Sequence, residues 1–390
     1  MPWLDSYAEG VPHELDVPPG SLNDLIAESV ERYPNRPALE FFGRETSYAE
    51  LGEQIAHAAE GLRRIGVKPG DRVALVLPNC PQHVVAFYAA LRIGAIVVEH
   101  NPLYTPRELR HQFEDHRARV AIAWDKTVPT LQDFPTDLAL DNIVSVDMTR
   151  AFPLKMRMLL KLPIEKARTS RAELTTEVTG TVTWEELIAG PTIPADVPAP
   201  EARDLALIQY TSGTTGNPKG VNLSHRNLVA NAAQARAWVP TIPRGTASVH
   251  AVLPLFHAYG LTLCLTFAMS MGARLVLFPE ARPGSRDAGV QEAPADVPSG
   301  RAAALRPPTQ GRRGEGRVAD GHRNRDLGRD AALGIRRRAL GGADGRVPGR
   351  GIRPVGVLPG ADGEPGLAEP PGGHRGPTAA RHGGARGRPR

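Results

Sequence analysis

Residues 1–280 are expected to form an α/β fold, on three observations. From Ser21 to Trp124 the chain alternates blocks with apolar residues at helical spacing and short apolar runs of strand length. The order strand, helix, strand recurs, which favours a parallel sheet with helices on both faces. Residues 281–390 have a different composition, one that cannot supply a core. By count they hold 24 Gly, 21 Arg, 17 Ala and 13 Pro, 75 of 110 positions, with no Lys, Phe, Tyr, Trp, Met or Cys. The apolar area needed to offset chain entropy is missing, so this tail is expected to be disordered.

Taken in order, Ser21 caps a helix that carries Leu22, Leu25, Ile26 and Val30 on one face. Ala38–Phe42 and Glu45–Ser47 read as a hairpin turning at Gly43-Arg44. Ser47 and Glu50 make a capping box for a helix with Leu51, Ile55, Leu62 and Ile65, stopped by Gly66. Pro69-Gly70 turns into a strand at Arg72–Leu77, a helix runs from Gln82 to Ile93 and ends at Gly94, and a strand follows at Ile96–Val98. A helix over 106–115 leads to a strand at Val120–Trp124. Residues 126–203 are less regular and are expected to be a connecting region. Leu205–Gln209 is a buried strand, Ser224 caps a helix to about Ala237, and Arg274–Phe278 is the last strand.

Charge separates along the same boundary. The tail has 21 Arg against 11 Asp and Glu, a net of +10, so the chain's total of +5 leaves residues 1–280 at −5. The N-terminus carries Asp5 and Glu9 in place of a basic apolar leader, and the apolar stretch Ala258–Met271 is too short to span a bilayer. Cys80 and Cys264 make neither a disulfide framework nor a metal site. A cytoplasmic protein is expected.

One stretch specifies chemistry. Tyr210–Gly220 reads YTSGTTGNPKG: glycines let backbone N–H groups close on an anion, Thr211, Ser212, Thr214 and Thr215 add hydroxyls, and Lys219 adds positive charge. Placed after an apolar strand, such a loop sits at the strand's C-terminal end, where open α/β sheets bind ligands. It is not a Walker A loop, because Pro218 precedes Lys219 and Gly220-Val221 follow it. The competing structural reading, a flexible Gly/Ser/Thr linker, predicts neither the strand nor the single lysine.

The block resembles the phosphate-binding signature of the adenylate-forming superfamily. Ile96–Pro106 (IVVEHNPLYTP), Arg107–His116 (RELRHQFEDH) and Leu253–Leu263 (LPLFHAYGLTL) resemble its bacterial long-chain fatty-acid–CoA ligases. The likeness covers residues 1 to about 280, which would be the N-terminal part of the large domain. It implies ATP, Mg2+, a fatty acid and coenzyme A as small-molecule reactants, with no specific nucleic acid, and leaves peripheral membrane association open. It assigns Thr211, Ser212, Gly213, Thr214, Thr215, Gly216, Lys219 and Gly220 to the phosphates of ATP, with Lys219 also catalytic. His257 is the second catalytic candidate, against a satisfied core histidine at a helix start. His225 is read as ordering a helix N-terminus. Phe256, Tyr259, Leu261 and Leu263 are candidates for an acyl tunnel, against ordinary core. The resemblance also calls for a Tyr-Gly-x-Thr/Ser-Glu segment, a ribose-binding Asp and a C-terminal Lys, none of which occurs here; Lys219 is the last lysine.

Three readings compete for the tail. An RNA-binding arginine–glycine arm would interleave aromatics and repeat short motifs, and neither occurs. A disordered linker is the second. The third is translation out of frame, since Gly, Arg, Ala and Pro dominate GC-rich DNA read out of register. Codons permitted for Arg338–Pro359 can spell, shifted by one nucleotide, ELWEARTGGYLVEGYGLSECSP, which holds the family's next motif. Gln291–Pro307 can likewise yield KKRPPTFLPAVPPLYDR in the same frame. Two matches in one frame and in order favour a frameshift near residue 280. Two function classes follow: a frameshifted, inactive ligase, or a non-catalytic nucleotide- or nucleic-acid-binding protein with an Arg/Gly-rich tail. Steep salt-dependent RNA binding that survives deletion of residues 1–280 would mark the latter.

Overall fold

Local sequence signals set most element boundaries. In the computed structural model, which describes residues 3–138, 140–211 and 218–279, the Ser21 N–H and hydroxyl both donate to Asp24 Oδ2 (2.6 and 3.0 Å) at the start of α1, Leu22–Arg32. β1 (Pro37–Phe41) and β2 (Arg44–Ser47) form the hairpin. Its turn is Phe42-Gly43, one residue earlier than expected, with φ of 53° and 81° at the two central positions, the backbone that two-residue hairpin loops need. The Ser47–Glu50 box opens α2, Tyr48–Arg64, with the Ser47 N–H donating to Glu50 Oε2 at 2.7 Å. Next come β3 (Arg72–Val76), α3 (Pro81–Arg92), β4 (Ile96–Glu99), α4 (Pro106–His116) and β5 (Val120–Trp124), each within two residues of expectation.

Residues 126–203 are more than a connection. After α5 (Val128–Gln132), β6 (Asn142–Val146) pairs parallel to β5. Beyond α6 (Leu154–Leu160) and α7 (Glu165–Leu174), β7 (Val182–Thr183) adds to β6 and is followed by α8, Trp184–Ile188. These strands are short and carry polar residues, so partners across the sheet decide them more than local pattern. β8 (Leu205–Thr211) and β9 (Lys219–Ser224) complete a seven-stranded sheet of order β7-β6-β5-β3-β4-β8-β9, parallel except for β9. After α9 (His225–Trp238), β10 (Ser248–Ala251) and β11 (Arg274–Leu277) join the first hairpin in a four-stranded sheet, β10-β11-β1-β2. Between β10 and β11 a helical run covers 258–270, π-helical at Leu261–Thr266.

Strand alternation divides the core. Val73, Leu75, Val97, Ile122 and Val144 belong to one cluster with residues of α2 and α3. Ala74, Val76, Ala121 and Ala123 belong to another, with Leu109 and Phe113 of α4 and Val128 and Leu131 of α5. Small alanines on that face let the helices come close to the sheet. A wholly buried imidazole and carboxylate join α3 to the sheet: His83 Nε2 lies 3.0 and 3.1 Å from the Glu99 oxygens and Nδ1 lies 3.3 Å from the Pro78 carbonyl. Among the described residues no helix is long and apolar enough to cross a membrane. Cys80 and Cys264 are free and buried, and burial pushes the Cys80 thiol up to about 12. The expected disordered tail, 281–390, lies outside the described residues.

Candidate functional site

Strand order marks one candidate position for a site. The chain leaves the C-terminal end of β4 across β3 to reach β5, whereas it leaves the adjacent end of β8 in the opposite direction, to β9. Neighbouring strands whose exits diverge open a crevice at their carboxyl ends, the usual ligand position in an open α/β sheet. Thr211, the last residue of β8, and Lys219, the first of β9, are cross-strand partners at this end of the sheet, so the two ends of the signature loop are pinned together. Both are exposed. Ser212, Gly213, Thr214, Thr215 and Gly216 lie outside the described residues. β9 itself was not foreseen; the expected passage straight from loop to helix is interrupted by an antiparallel strand whose alternating Val221 and Leu223 are its only local signal.

Gly220 has a packing reason to be glycine. A Cβ there would stand 3.0 Å from Ile208 Cγ2 and 3.4 Å from the Tyr210 ring. The space lets Tyr210 reach α4, where its hydroxyl donates to Asp115 Oδ2 at 2.6 Å. Beneath it lies a buried cluster that the sequence did not single out. His100, just after β4, has Nδ1 2.6 Å from Gln112 Oε1 and stacks between Phe113 and Tyr210, with ring centroids 5.1 and 6.1 Å away; the His116 ring is 4.9 Å off. Burial first, then the bond to Asp115, holds the Tyr210 phenol well above its usual value, so it stays a neutral donor.

His257 stands at a helix start, as one of its two readings required, but it is exposed and not core. Its Nδ1 accepts the Tyr259 N–H at 3.3 Å, which leaves the neutral ring's proton on Nε2 as a donor. Two buried amides that sequence reasoning missed position this segment. Gln209, two residues before Thr211, donates from Nε2 to the Phe256 carbonyl at 2.8 Å. Asn79 donates to the Ala251 and Leu253 carbonyls (3.0 and 2.9 Å) and accepts the Leu255 N–H (2.8 Å). The strand that leads into Tyr210–Gly220 is thereby tied to the segment that carries His257. A polar Gln209 within the apolar run LALIQY was the available signal. Asn79→Ala should lower folding stability by about 2 kcal/mol, since it strands two buried backbone groups and one part-buried one; a denaturant midpoint unchanged from wild type would show that the groups find other partners.

Phe256, Tyr259, Leu261 and Leu263 differ widely in exposure: Leu261 is core at 1 % whereas Tyr259 is 61 % exposed. His225 is fully buried and orders a helix N-terminus, but not its own: its Nδ1 accepts the Leu22 N–H of α1 at 3.2 Å, while α9 is capped by Ser224 and Asn227. Among the described residues no group of three or more His, Cys, Asp or Glu is placed to hold a metal ion.

Three imidazoles give the fold a pH signature. Burial pulls His100 and His225 down to about 4 and His116 well below 6.5, the last aided by His100 and Arg72. Unfolded, they titrate near 6.5, so between about 6.5 and about 4 the unfolded chain binds more protons. Stability is therefore full above pH 6.5 and is lost as pH falls through that window. Asp125, raised to about 6 by burial, has the opposite sign, but it is one group against three. The melting temperature should drop between pH 7 and pH 5; a flat or rising profile would mean that the folded chain accepts these protons.

Known proteins share this chain's sequence family and its fold. The family described as AMP-binding enzyme matches residues 26–293, and the chain belongs to that family. It is 34 % identical over 288 residues to a long-chain-fatty-acid–CoA ligase of Bacillus subtilis (strain 168), covering 72 % of this chain and 50 % of the relative. It is 35 % identical over 299 residues to the ligase of that name from Escherichia coli O6:H1, covering 72 % and 51 %. The chain thus spans about half the length of the curated relatives it matches. A crystal structure of a long-chain-fatty-acid-CoA ligase (FadD1) from Archaeoglobus fulgidus superposes with a TM-score of 0.58 at 24 % identity, over 70 % of this chain and 50 % of that one, a likeness of fold. VinN gives 0.52 at 28 % identity, over 68 % and 57 %.

Proposed function

We propose that the chain is the N-terminal, phosphate-binding part of an ATP-dependent ligase that converts a long-chain fatty acid to acyl-AMP and then to acyl-CoA, and that these 390 residues alone do not turn over. The fatty carboxylate attacks the α-phosphorus of ATP, pyrophosphate leaves, and the thiol of coenzyme A displaces AMP. The reading is supported above all by the position of Thr211 and Lys219, paired across β8 and β9 at the end of the sheet where strand exits diverge. Lys219 and the loop amides would bind the departing pyrophosphate and offset its growing charge. His257, held near the end of β8 through Gln209 and Phe256, would offer its Nε2–H to the acyl carboxylate or α-phosphate. The fatty-acid assignment rests on the Bacillus and Escherichia relatives. Adenine, ribose and Mg2+ contacts would come from the part of the gene that we infer is read out of frame after about residue 280. The test is ATP–pyrophosphate exchange with Mg2+. A frame-corrected protein should exchange label only when a long-chain acid is present; exchange that ignores the acid, or prefers an aryl acid, would overturn the substrate assignment.

A further inference from the structure

A second surface carries no part of this chemistry. α6 and the turn after it expose five large apolar side chains within eleven residues: Leu154 at 70 %, Met158 at 62 %, Leu159 at 51 %, Leu162 at 42 % and Ile164 at 53 %. Leu154, Lys155, Met158, Leu159 and Leu162 line one surface depression. Met156 and Leu160 pack inward against the core, so the helix is anchored and its other side is presented outward. Scattered apolar residues on a surface are ordinary, but a contiguous group of this size marks a contact.

Its surroundings indicate what it contacts. Residues 150–171 hold seven basic side chains, Arg150, Lys155, Arg157, Lys161, Lys166, Arg168 and Arg171, and one acid, Glu165, inside a body of net charge −5. Among the described residues only Arg150 of the seven pairs with a carboxylate, that of Asp147. Apolar side chains lined by Lys155 and flanked along the chain by further Lys and Arg that pair with no carboxylate match a membrane interface, where the apolar groups enter the acyl boundary and the bases meet anionic headgroups.

We propose that α6 and the turn through Ile164 form a docking surface for an anionic lipid bilayer. The proposal stands apart from the ligase reading; where both hold, docking brings the enzyme to the phase in which long-chain acids dissolve. The experiment uses the full chain with vesicles of phosphatidylcholine alone or mixed with phosphatidylglycerol. Co-sedimentation should be at least tenfold stronger with the anionic vesicles, and should return to the neutral-vesicle level in the triple variant Met158→Glu, Leu159→Glu, Leu162→Glu. These side chains are exposed, so the variant should melt as wild type does. The Arg-rich tail could also bind anionic lipid, by charge alone; salt-sensitive binding that survives the triple change would assign it to the tail and overturn the proposal. Because Cys80 and Cys264 are buried, Leu159→Cys carrying an environment-sensitive dye reports insertion directly. A blue shift with anionic vesicles is expected, and none would overturn insertion. If the triple change instead dissolves a dimer and leaves vesicle binding intact, the patch joins two copies of the chain and the proposal falls.

Discussion

Lys219→Ala in the frame-corrected ligase is expected to lower kcat about a hundredfold, with a much smaller change in the KM for ATP. One preorganised donor to charge that develops in the transition state is typically worth about 3 kcal/mol, and in this reaction that charge appears on the leaving pyrophosphate. The side chain is exposed and opens an edge strand, so its loss removes no core packing and the melting temperature should stay near that of the parent. Steady-state kinetics with the fatty acid in excess, run beside a thermal melt, separates these effects. An unchanged kcat would place Lys219 away from the phosphates; a fallen melting temperature would make any rate loss a folding effect. The 390-residue chain should form no acyl-CoA in the same assay, with or without the substitution.

Residues 21–124 were legible because each element carries its own local signal. Ser21, Ser47 and Thr105 lie before helices whose third residue is acidic, and Gly66, Gly70 and Gly94 adopt the positive φ that ends or turns an element. β6, β7, β9 and β10 were missed for a common reason. They have two to six residues with polar side chains among them, and only a neighbouring strand makes them strands. The candidate site divides the same way. The candidate phosphate loop is a local glycine, hydroxyl and lysine pattern that needs no distant partner to be noticed. Gln209, Asn79 and His100 act through contacts with Phe256, Ala251, Leu253, Leu255 and Gln112, from 12 to 176 positions away along the chain, which no local pattern specifies. His225 shows the limit from the other side: that it orders a helix N-terminus was legible, but which helix was not, since its ring reaches Leu22, 203 positions earlier.

The gene should carry a single-nucleotide insertion or deletion near codon 280 whose reversal opens a frame with Tyr-Gly-Leu-Ser-Glu opposite Ile352–Val357, then the ribose-binding Asp and the C-terminal Lys. The genetic code makes this sharper than a similarity argument. For the shifted frame to read tyrosine as TAC, Ile352 must be ATA followed by the C of an Arg353 codon. ATA is a codon that a GC-rich reading frame seldom uses for isoleucine, so its presence would be unexplained if residues 281–390 were translated in their true frame. Restoring the frame should also change the protein physically. It replaces a segment with no Phe, Tyr, Trp, Met or Lys by one with enough apolar area to fold, so a protease that trims the 390-residue chain to a body of about 280 residues should leave the corrected protein much longer. Sequencing through codon 352 decides the matter. ATC or ATT there, with no ligase-like continuation in either other frame, would make the arginine-rich tail a genuine protein segment and move the weight to a nucleotide- or nucleic-acid-binding protein.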